Sequence, residues 1–399
     1  MNNLNQTPNA NRLHIAIYGR RNSGKSSLIN ALTNPQVAWV SDIAGTTPDP
    51  VYKAMEVRGL GACVFIDTAG FDDEGALGEL RMQKTRETLP KADIAIMLFS
   101  DTDFSLEKSW LEALKSSGVP VIAVVNKSDL QDPAPLMERI RTELSLSPLA
   151  VSAVDRTGIP ALLAELTRAL PEGYGAESIT GRLVKDGDVV MLVMPQDSEA
   201  PKGRLILPQV QTIRDLLDNR CISINVTPDT MEGALAALKA PPDLIITDSQ
   251  AFKTVYEKAP KESKLTSFSV LFAAYKGDLD AYVRGAQAVE RLNSQSHVLI
   301  AEACTHAPLS EDIGRVKIPN LLRKKYGKDM DIQVVSGADF PDDLTPYDLI
   351  VHCGGCMFNR AYLLSRVRQA KGAGIPITNY GVLIAKLKGI LDKVALPNH

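Results

Sequence analysis

The chain has 399 residues, 45% of them hydrophobic and 23% charged, and a formal net charge of -3. That length is too great for one ordinary core and predicts two or three domains, three being expected, while the composition excludes a disordered chain. The near-neutral balance, without a long Lys/Arg run, excludes a broad electrostatic footprint for nucleic acid or anionic membrane, and no apolar run reaches the roughly 18 residues of a membrane helix.

The segment Met1 to Arg12 is polar and Asn-rich and lacks the pattern of a signal peptide, so a cytoplasmic location is expected. From Leu13 to Leu170, short apolar runs alternate with helical periods, the signature of a doubly wound sheet. Strands are predicted at His14–Tyr18, Ala62–Asp67, Ile94–Phe99, Val121–Asn126 and Leu149–Ser152, and helices at Lys25–Leu32, Leu106–Ser116 and Ile159–Leu170. The Pro- and Gly-containing stretch 171–176 marks a boundary, so a first domain is placed at 1–172.

A second α/β unit, 183–262, has predicted strands Val189–Met194, Ile222–Val226 and Leu244–Thr247 and helices Pro208–Leu217 and Met231–Leu238. A domain that small buries a modest fraction of its surface, and its apolar strand Val189–Met194 suggests self-association, as a dimer or larger. The remainder, 263–399, is again α/β, with strands Val298–Ala301, Ile332–Val335 and Leu349–His352 and helices Pro319–Tyr326 and Ala361–Gln369.

Gly19-Arg20-Arg21-Asn22-Ser23-Gly24-Lys25-Ser26 matches the P-loop pattern, between a strand and a helix as its mechanism requires. Its backbone N–H groups and the following helix N-terminus, with Ser27 in the first turn, can cradle phosphates. Lys25 reaches the β/γ oxygens and Ser26 serves magnesium. Asp67-Thr68-Ala69-Gly70 ends a strand, so Asp67 can hold magnesium through water and Gly70 can meet the γ-phosphate. In Asn126-Lys127-Ser128-Asp129 the last carboxylate can accept from guanine N1–H and its exocyclic amine, a donor pair adenine lacks; Ser152-Ala153 places a backbone N–H for guanine O6. Together these four elements specify GTP, with magnesium.

Residues 13 to about 170 resemble the translation-factor-related GTPases typified by Era, Der and MnmE. The resemblance implies that Ala44-Gly45-Thr46-Thr47 is the switch I motif, with Thr47 completing the magnesium shell. It also implies potassium held by Asn22; a turn residue tolerating the loop geometry is the plainer reading of the same Asn. Phe71 stands where Ras-type proteins carry the Gln that orients the attacking water, leaving Glu74 or Glu79 for that role. Slow turnover and a switch role follow.

Of five cysteines, Cys63 and Cys221 stand in strand-like surroundings and read as small buried hydrophobes. The others cluster with two of the five histidines, as Cys304-Thr305-His306 and His352-Cys353-Gly354-Gly355-Cys356, both at strand ends. A structural zinc site, a CxxC redox pair and an iron–sulfur cluster on three thiolates all fit these residue types. The whole chain also resembles the HydF family, GTPase maturation proteins of FeFe hydrogenases. That resemblance implies a 4Fe-4S cluster on Cys304, Cys353 and Cys356 with His306 or His352 as possible fourth ligand. It further implies a role as scaffold or carrier of a di-iron precursor, alongside the radical-SAM maturases HydE and HydG and the hydrogenase apoprotein. The alternative is an Era-, Der- or MnmE-like GTPase acting on tRNA or the ribosome with a structural zinc, against which stands the absence of a KH-type GxxG loop in the C-terminal half.

Overall fold

The computed structural model describes residues 7–33, 38–41, 50–57, 59–72, 76–171, 174, 178–195, 205–302, 313–337, 339–355 and 358–397. The chain divides into two compact units, Met1–Tyr174 and Gly175–His399.

In the first unit the elements run β1 (Leu13–Gly19), α1 (Lys25–Leu32), β2 (Ala38–Ser41), β3 (Val51–Val57), β4 (Gly61–Asp67), α2 (Ala76–Arg86), β5 (Ile94–Phe99), α3 (Ser105–Ser116), β6 (Val121–Val125), α4 (Ala134–Leu144), β7 (Leu149–Ala150) and α5 (Ile159–Arg168). They form one seven-stranded sheet in the order β2-β3-β4-β1-β5-β6-β7. β1 and β4–β7 are parallel, and β2–β3 add an antiparallel edge. Continuous apolar strands such as β5 are what a sheet covered on both faces needs. Alternate residues face two cores, Ile15, Ile17, Phe65 and Ile96 on one side and Ala16, Tyr18, Ile66 and Met97 on the other. β3 escaped the sequence pattern because Lys53 and Glu56 interrupt its apolar run, as suits a half-exposed strand. The carboxyl ends of β1, β4, β6 and β7 carry the four motifs, where an open parallel sheet places its ligand.

In the second unit β8 (Val189–Val193), α6 (Leu207–Asp218), β9 (Ile222–Val226), α7 (Met231–Ala237), β10 (Leu244–Thr247), α8 (Phe252–Lys258) and β11 (Lys264–Ser267) build a parallel sheet in the order β11-β10-β8-β9. β11 is its edge, so the sheet extends past the expected boundary at 262/263. β8, the apolar strand that motivated self-association, is interior: Val190 to Val193 are buried between β10 and β9 and present nothing to a partner. Among the described residues of this unit the most exposed large apolar groups are Ile222, at the β9 edge, and Leu217, 57% and 54% exposed.

The chain continues through α9 (Phe268–Lys276), α10 (Leu279–Ala288), β12 (His297–Glu302), α11 (Ile318–Tyr326), β13 (Asp331–Ser336), β14 (Leu349–His352), α12 (Arg360–Gly372), β15 (Ile377–Asn379) and α13 (Tyr380–Leu387). These strands form a parallel sheet in the order β13-β12-β14-β15. One core joins the two sheets of this unit, with Met191, Ile245, Val270, Leu299, Ile350 and Val382 in the same cluster. Ser267, Asp278, Asn359 and Asn379 each cap a helix by accepting from a first-turn backbone N–H. Cys63 and Cys221 are buried, and desolvation pushes the Cys63 thiol up to about 12, which makes it an inert core group.

Candidate functional site

The P-loop leaves β1 at Gly19 and enters α1 at Lys25. Its Lys25 ammonium donates to Gly19 O at 3.0 Å and Arg20 O at 2.9 Å, which bends it back over the loop concavity, where phosphate oxygens are the stronger acceptors. Gly24 caps α1 with φ 94°, and a Cβ there would fall 2.2 Å from Asn126 Nδ2. Only Gly meets both demands. Asn22, with φ 54°, occupies the left-handed region that Asn tolerates, and is exposed beside the loop. Ser23 is buried, whereas Ser26 and Ser27 in the first turn of α1 are exposed.

Ser26 Oγ donates to Asp67 Oδ2 at 2.6 Å, so a hydroxyl oxygen and a carboxylate meet at one point beside the loop. That hard-oxygen pair fits magnesium. Thr46 and Thr47, the expected switch I ligands, lie outside the described residues, as does Glu74. Glu79 is exposed on α2. Gly70 lies against the P-loop, where a Cβ would come within 2.7 Å of Arg21 N. Asp72 Oδ1 accepts that same Arg21 N–H at 2.6 Å.

Asn126 joins the phosphate and base sides of the site. It is buried; Nδ2 donates to Ser23 O at 3.1 Å, and Oδ1 accepts from Ala153 N–H at 3.3 Å. Ser128 N–H donates to Val151 O at 3.1 Å, tying the two base-side loops together. Lys127 has φ 64°, Asp129 is exposed at the rim, and Ser152 is fully buried with Oγ accepting from Val154 and Asp155 N–H. The Ala153 N–H expected for guanine O6 is thus held by Asn126 in this arrangement.

At the C-terminal sheet, β12 and β14 are neighbours with Ala301 opposite His352, and Cys353 N–H donates to Ala301 O at 3.0 Å. The chain segments that lead to Cys304 and to Cys353 therefore leave the sheet side by side. Cys304, His306 and Cys356 lie outside the described residues; among the described residues no group of three or more His, Cys, Asp or Glu is assembled for a metal. Cys353 is partly exposed, and its Sγ accepts Gly355 N–H at 3.4 Å. A sulfur held as an acceptor suits a thiolate ligand. His352, in contrast, is buried with both ring nitrogens engaged, Nδ1 with Cys353 O at 2.7 Å and Nε2 with Arg366 Nη1 at 2.9 Å. A guanidinium only donates and a carbonyl only accepts, so Nδ1 carries the proton and Nε2 holds the lone pair. With that lone pair taken, the expected role of His352 as fourth ligand does not fit this geometry.

Comparison with known proteins divides along the same lines. The family described as 50S ribosome-binding GTPase matches residues 14–127, so this unit carries a GTPase domain. The "tRNA modification GTPase MnmE" of Paraburkholderia xenovorans is 36% identical over 169 residues, 42% of this chain and 36% of that protein; the Heliobacterium modesticaldum protein of the same name is 34% identical over 171. The chain thus spans about a third of the length of these curated relatives. Among solved structures, Aquifex aeolicus Era bound to GDP and aluminium fluoride is 21% identical with a TM-score of 0.34, covering 54% of this chain and 92% of that one. The G domain of the T. maritima FeoB iron transporter is 22% identical at 0.30, covering 40% and 98%. Past the GTPase domain, the hydrogen maturase F dimerization domain matches residues 179–277 and the hydrogen maturase F tetramerization domain residues 280–397, together more than half of the chain. The chain belongs to the hydrogen maturase F family.

Several residues that brace these loops in this maturase-family chain left no motif in the sequence. Arg20, inside the P-loop, is turned away from the phosphate side and forks onto buried Glu107 of α3, Nε to Oε1 at 2.9 Å and Nη2 to Oε2 at 3.2 Å, which holds its charge firmly on. Glu302, at the end of β12, accepts from Arg315 Nε at 3.1 Å and from Ser336 Oγ at 3.2 Å, closing the chain on either side of the segment that contains Cys304. Arg366 had one available signal. It falls on the buried face of α12 with Tyr362, Leu363, Val367 and Ala370, a core position in the helical period occupied by a cation. No described helix is long and apolar enough to cross a membrane.

Proposed function

We propose that this chain is a cytoplasmic, GTP-hydrolysing scaffold that carries an iron–sulfur cluster and hands a di-iron precursor to an FeFe-hydrogenase apoprotein, working with the radical-SAM maturases HydE and HydG. The observation that carries this reading is the succession of a GTPase domain and both hydrogen maturase F domains along one chain. Lys25 and the P-loop N–H groups bind phosphate, Asp129 reads guanine, and Ser26, Asp67 and Thr47 hold magnesium. Asn22 serves potassium, which supplies beside the phosphates the positive charge that Arg20, committed to Glu107, does not.

Cys304, Cys353 and Cys356 hold the 4Fe-4S cluster, and His306 is the fourth-ligand choice left once His352 is bonded to Arg366. The acceptor state of the Cys353 sulfur and the adjacency of β12 and β14 support this assignment. When bound, such a cluster offers an iron with a replaceable ligand, to which the di-iron substrate attaches. The chain forms homo-oligomers through the units matched by the dimerization and tetramerization families, with the exposed β9 edge as the first contact.

The test is metal and sulfide analysis of protein prepared anaerobically, with EPR of the reduced form. Iron and sulfide should be present in the wild type and lost in Cys353→Ala and Cys356→Ala, while GTP hydrolysis persists and runs faster in potassium than in sodium. Stoichiometric zinc without iron, together with normal hydrogenase maturation by Cys353→Ala, would overturn the reading.

A further inference from the structure

Two buried cations meet at the loop that leaves β14. Arg366 is 3% exposed; its guanidinium donates to His352 Nε2 at 2.9 Å, to Tyr362 Oη at 2.6 Å and to Gly337 O at 2.5 Å. The rings of Phe340 and Tyr362 each lie 4.6 Å from its Cζ. Lys276, also 3% exposed, donates to Phe358 O at 3.2 Å and Gly355 O at 3.5 Å. One cation thus sits beneath the start of the loop and the other beneath its far side, with Cys353 between them in sequence.

Among the described residues, no carboxylate is bonded to Arg366. The ionisable groups whose charge it feels most are Tyr362, Cys353 and Tyr282, none of them a carboxylate. A guanidinium does not give up its proton, and burying one without a counter-charge is unfavourable. Aromatic faces and neutral acceptors offset only part of that cost. Of the three neighbours, Cys353 is the one assigned above to the cluster, and Arg366 reaches it through His352, bonded to the guanidinium at 2.9 Å and to the Cys353 carbonyl at 2.7 Å.

We infer that Arg366, with Lys276 as a second charge, is a positioning residue for the iron–thiolate group held at Cys353: it neutralises that group's negative charge, raises its reduction potential, and fixes the His352 tautomer that orients the Cys353 carbonyl. The inference rests on the cluster assignment proposed above. Adding one electron to the cluster makes it one unit more negative and forms or breaks no bond, so nearby positive charge stabilises the reduced state. Removing the charge disfavours reduction.

The experiment uses the full chain, reconstituted anaerobically with ferrous iron and sulfide and titrated potentiometrically with dithionite under EPR. Arg366→Gln keeps hydrogen bonding to His352 but removes the charge; Arg366→Lys keeps the charge; Lys276→Gln removes the other one. Arg366→Gln should load the same iron as wild type yet shift the one-electron equilibrium at least tenfold toward the oxidised form, about 59 mV lower in potential. Lys276→Gln should move it the same way, and Arg366→Lys should stay near the wild-type value. An unmoved potential in loaded Arg366→Gln, or an equal shift in Arg366→Lys, would refute the role of charge. If Arg366→Gln fails to fold or load, Lys276→Gln decides, and an unmoved potential there is equally fatal. A wild type that binds no iron would remove the cluster assignment itself, a different failure from a loaded cluster whose potential ignores both cations.

Discussion

The ring of Phe71 lies stacked on that of Trp110, 4.8 Å between centroids and 13° from parallel. Phe71 is 4% exposed and Trp110 also touches Tyr18, so the residue directly after Gly70 is part of the α3-side core. The side chain that in Ras-type enzymes reaches for water here points into apolar packing. Restoring the glutamine should therefore not restore its function. Phe71→Gln is expected to leave turnover at or below the wild-type rate and to lower stability by about 2–4 kcal/mol, through lost ring packing and a buried amide. Phosphate release at saturating GTP and urea unfolding check the two parts. A severalfold gain in turnover would mean that the ring leaves this core during the cycle.

Asp129 is exposed at the rim of the base side, while Asn126 behind it holds the loop to Ser23 and Ala153. Because the scaffold of the loop and the carboxylate proposed to read the base are different residues, the reading can be changed without unfolding the site. Asp129→Asn should weaken GTP binding by one to two orders of magnitude, the cost of about 1.5–3 kcal/mol for a charge-assisted bond. It should gain affinity for xanthine nucleotide, whose base oxygen accepts from the amide. Competition binding with GTP, XTP and ATP measures this, and a wild type that binds ATP as well as GTP would contradict it.

Stability of the first unit should fall on acidification because of His14. Burial lowers its pKa from 6.5 to about 4, and its Nδ1 lies 2.9 Å from Arg12 O, so the ring is neutral and donates there. The 3.8 Å approach to Asp93 is accordingly no ion pair at neutral pH. Between these two pKa values the unfolded chain binds a proton that the folded chain excludes. Stability present above pH 6.5 is thus lost as pH falls toward 4, by up to about 3 kcal/mol from this residue. Urea unfolding at about pH 7 and about pH 4.5 should show a smaller difference in His14→Asn than in wild type.

Ile222 on the edge strand β9 tests the first oligomer contact. Ile222→Glu places a charge on an exposed edge without touching the core, so the fold should be retained and the assembly should shift toward smaller species. Light scattering on the size-exclusion eluate decides it, and an unchanged mass would place the contact elsewhere.

How much of this was legible in the sequence varies with the physics of each part. The P-loop, Asp67 and the Asn126–Asp129 element could be read because local chain chemistry dictates them: a glycine that must adopt φ 94°, a carboxylate at a strand end. Strands buried on both faces, such as β5, stood out as continuous apolar runs, whereas β3, half exposed and carrying Lys53 and Glu56, did not. The strand β8 was found but misread as a surface for a partner, since burial by β9 and β10 is a property of topology. His352 stood with His306 as a possible fourth ligand; only the fold brings Arg366, on a different element, onto its lone pair.

The bond from Arg21 N–H to Asp72 ties the P-loop to the stretch that follows Gly70. Gly70 is the residue proposed to meet an arriving γ-phosphate, and Asp72 is two residues further along the same short stretch. A pull on Gly70 is therefore a pull on the anchor of Arg21, and the loop that grips the nucleotide yields as the segment that senses its last phosphate tightens. With Gly70 in that role, grip and sensing would share one hinge, and loss of the phosphate would be felt on both sides at once.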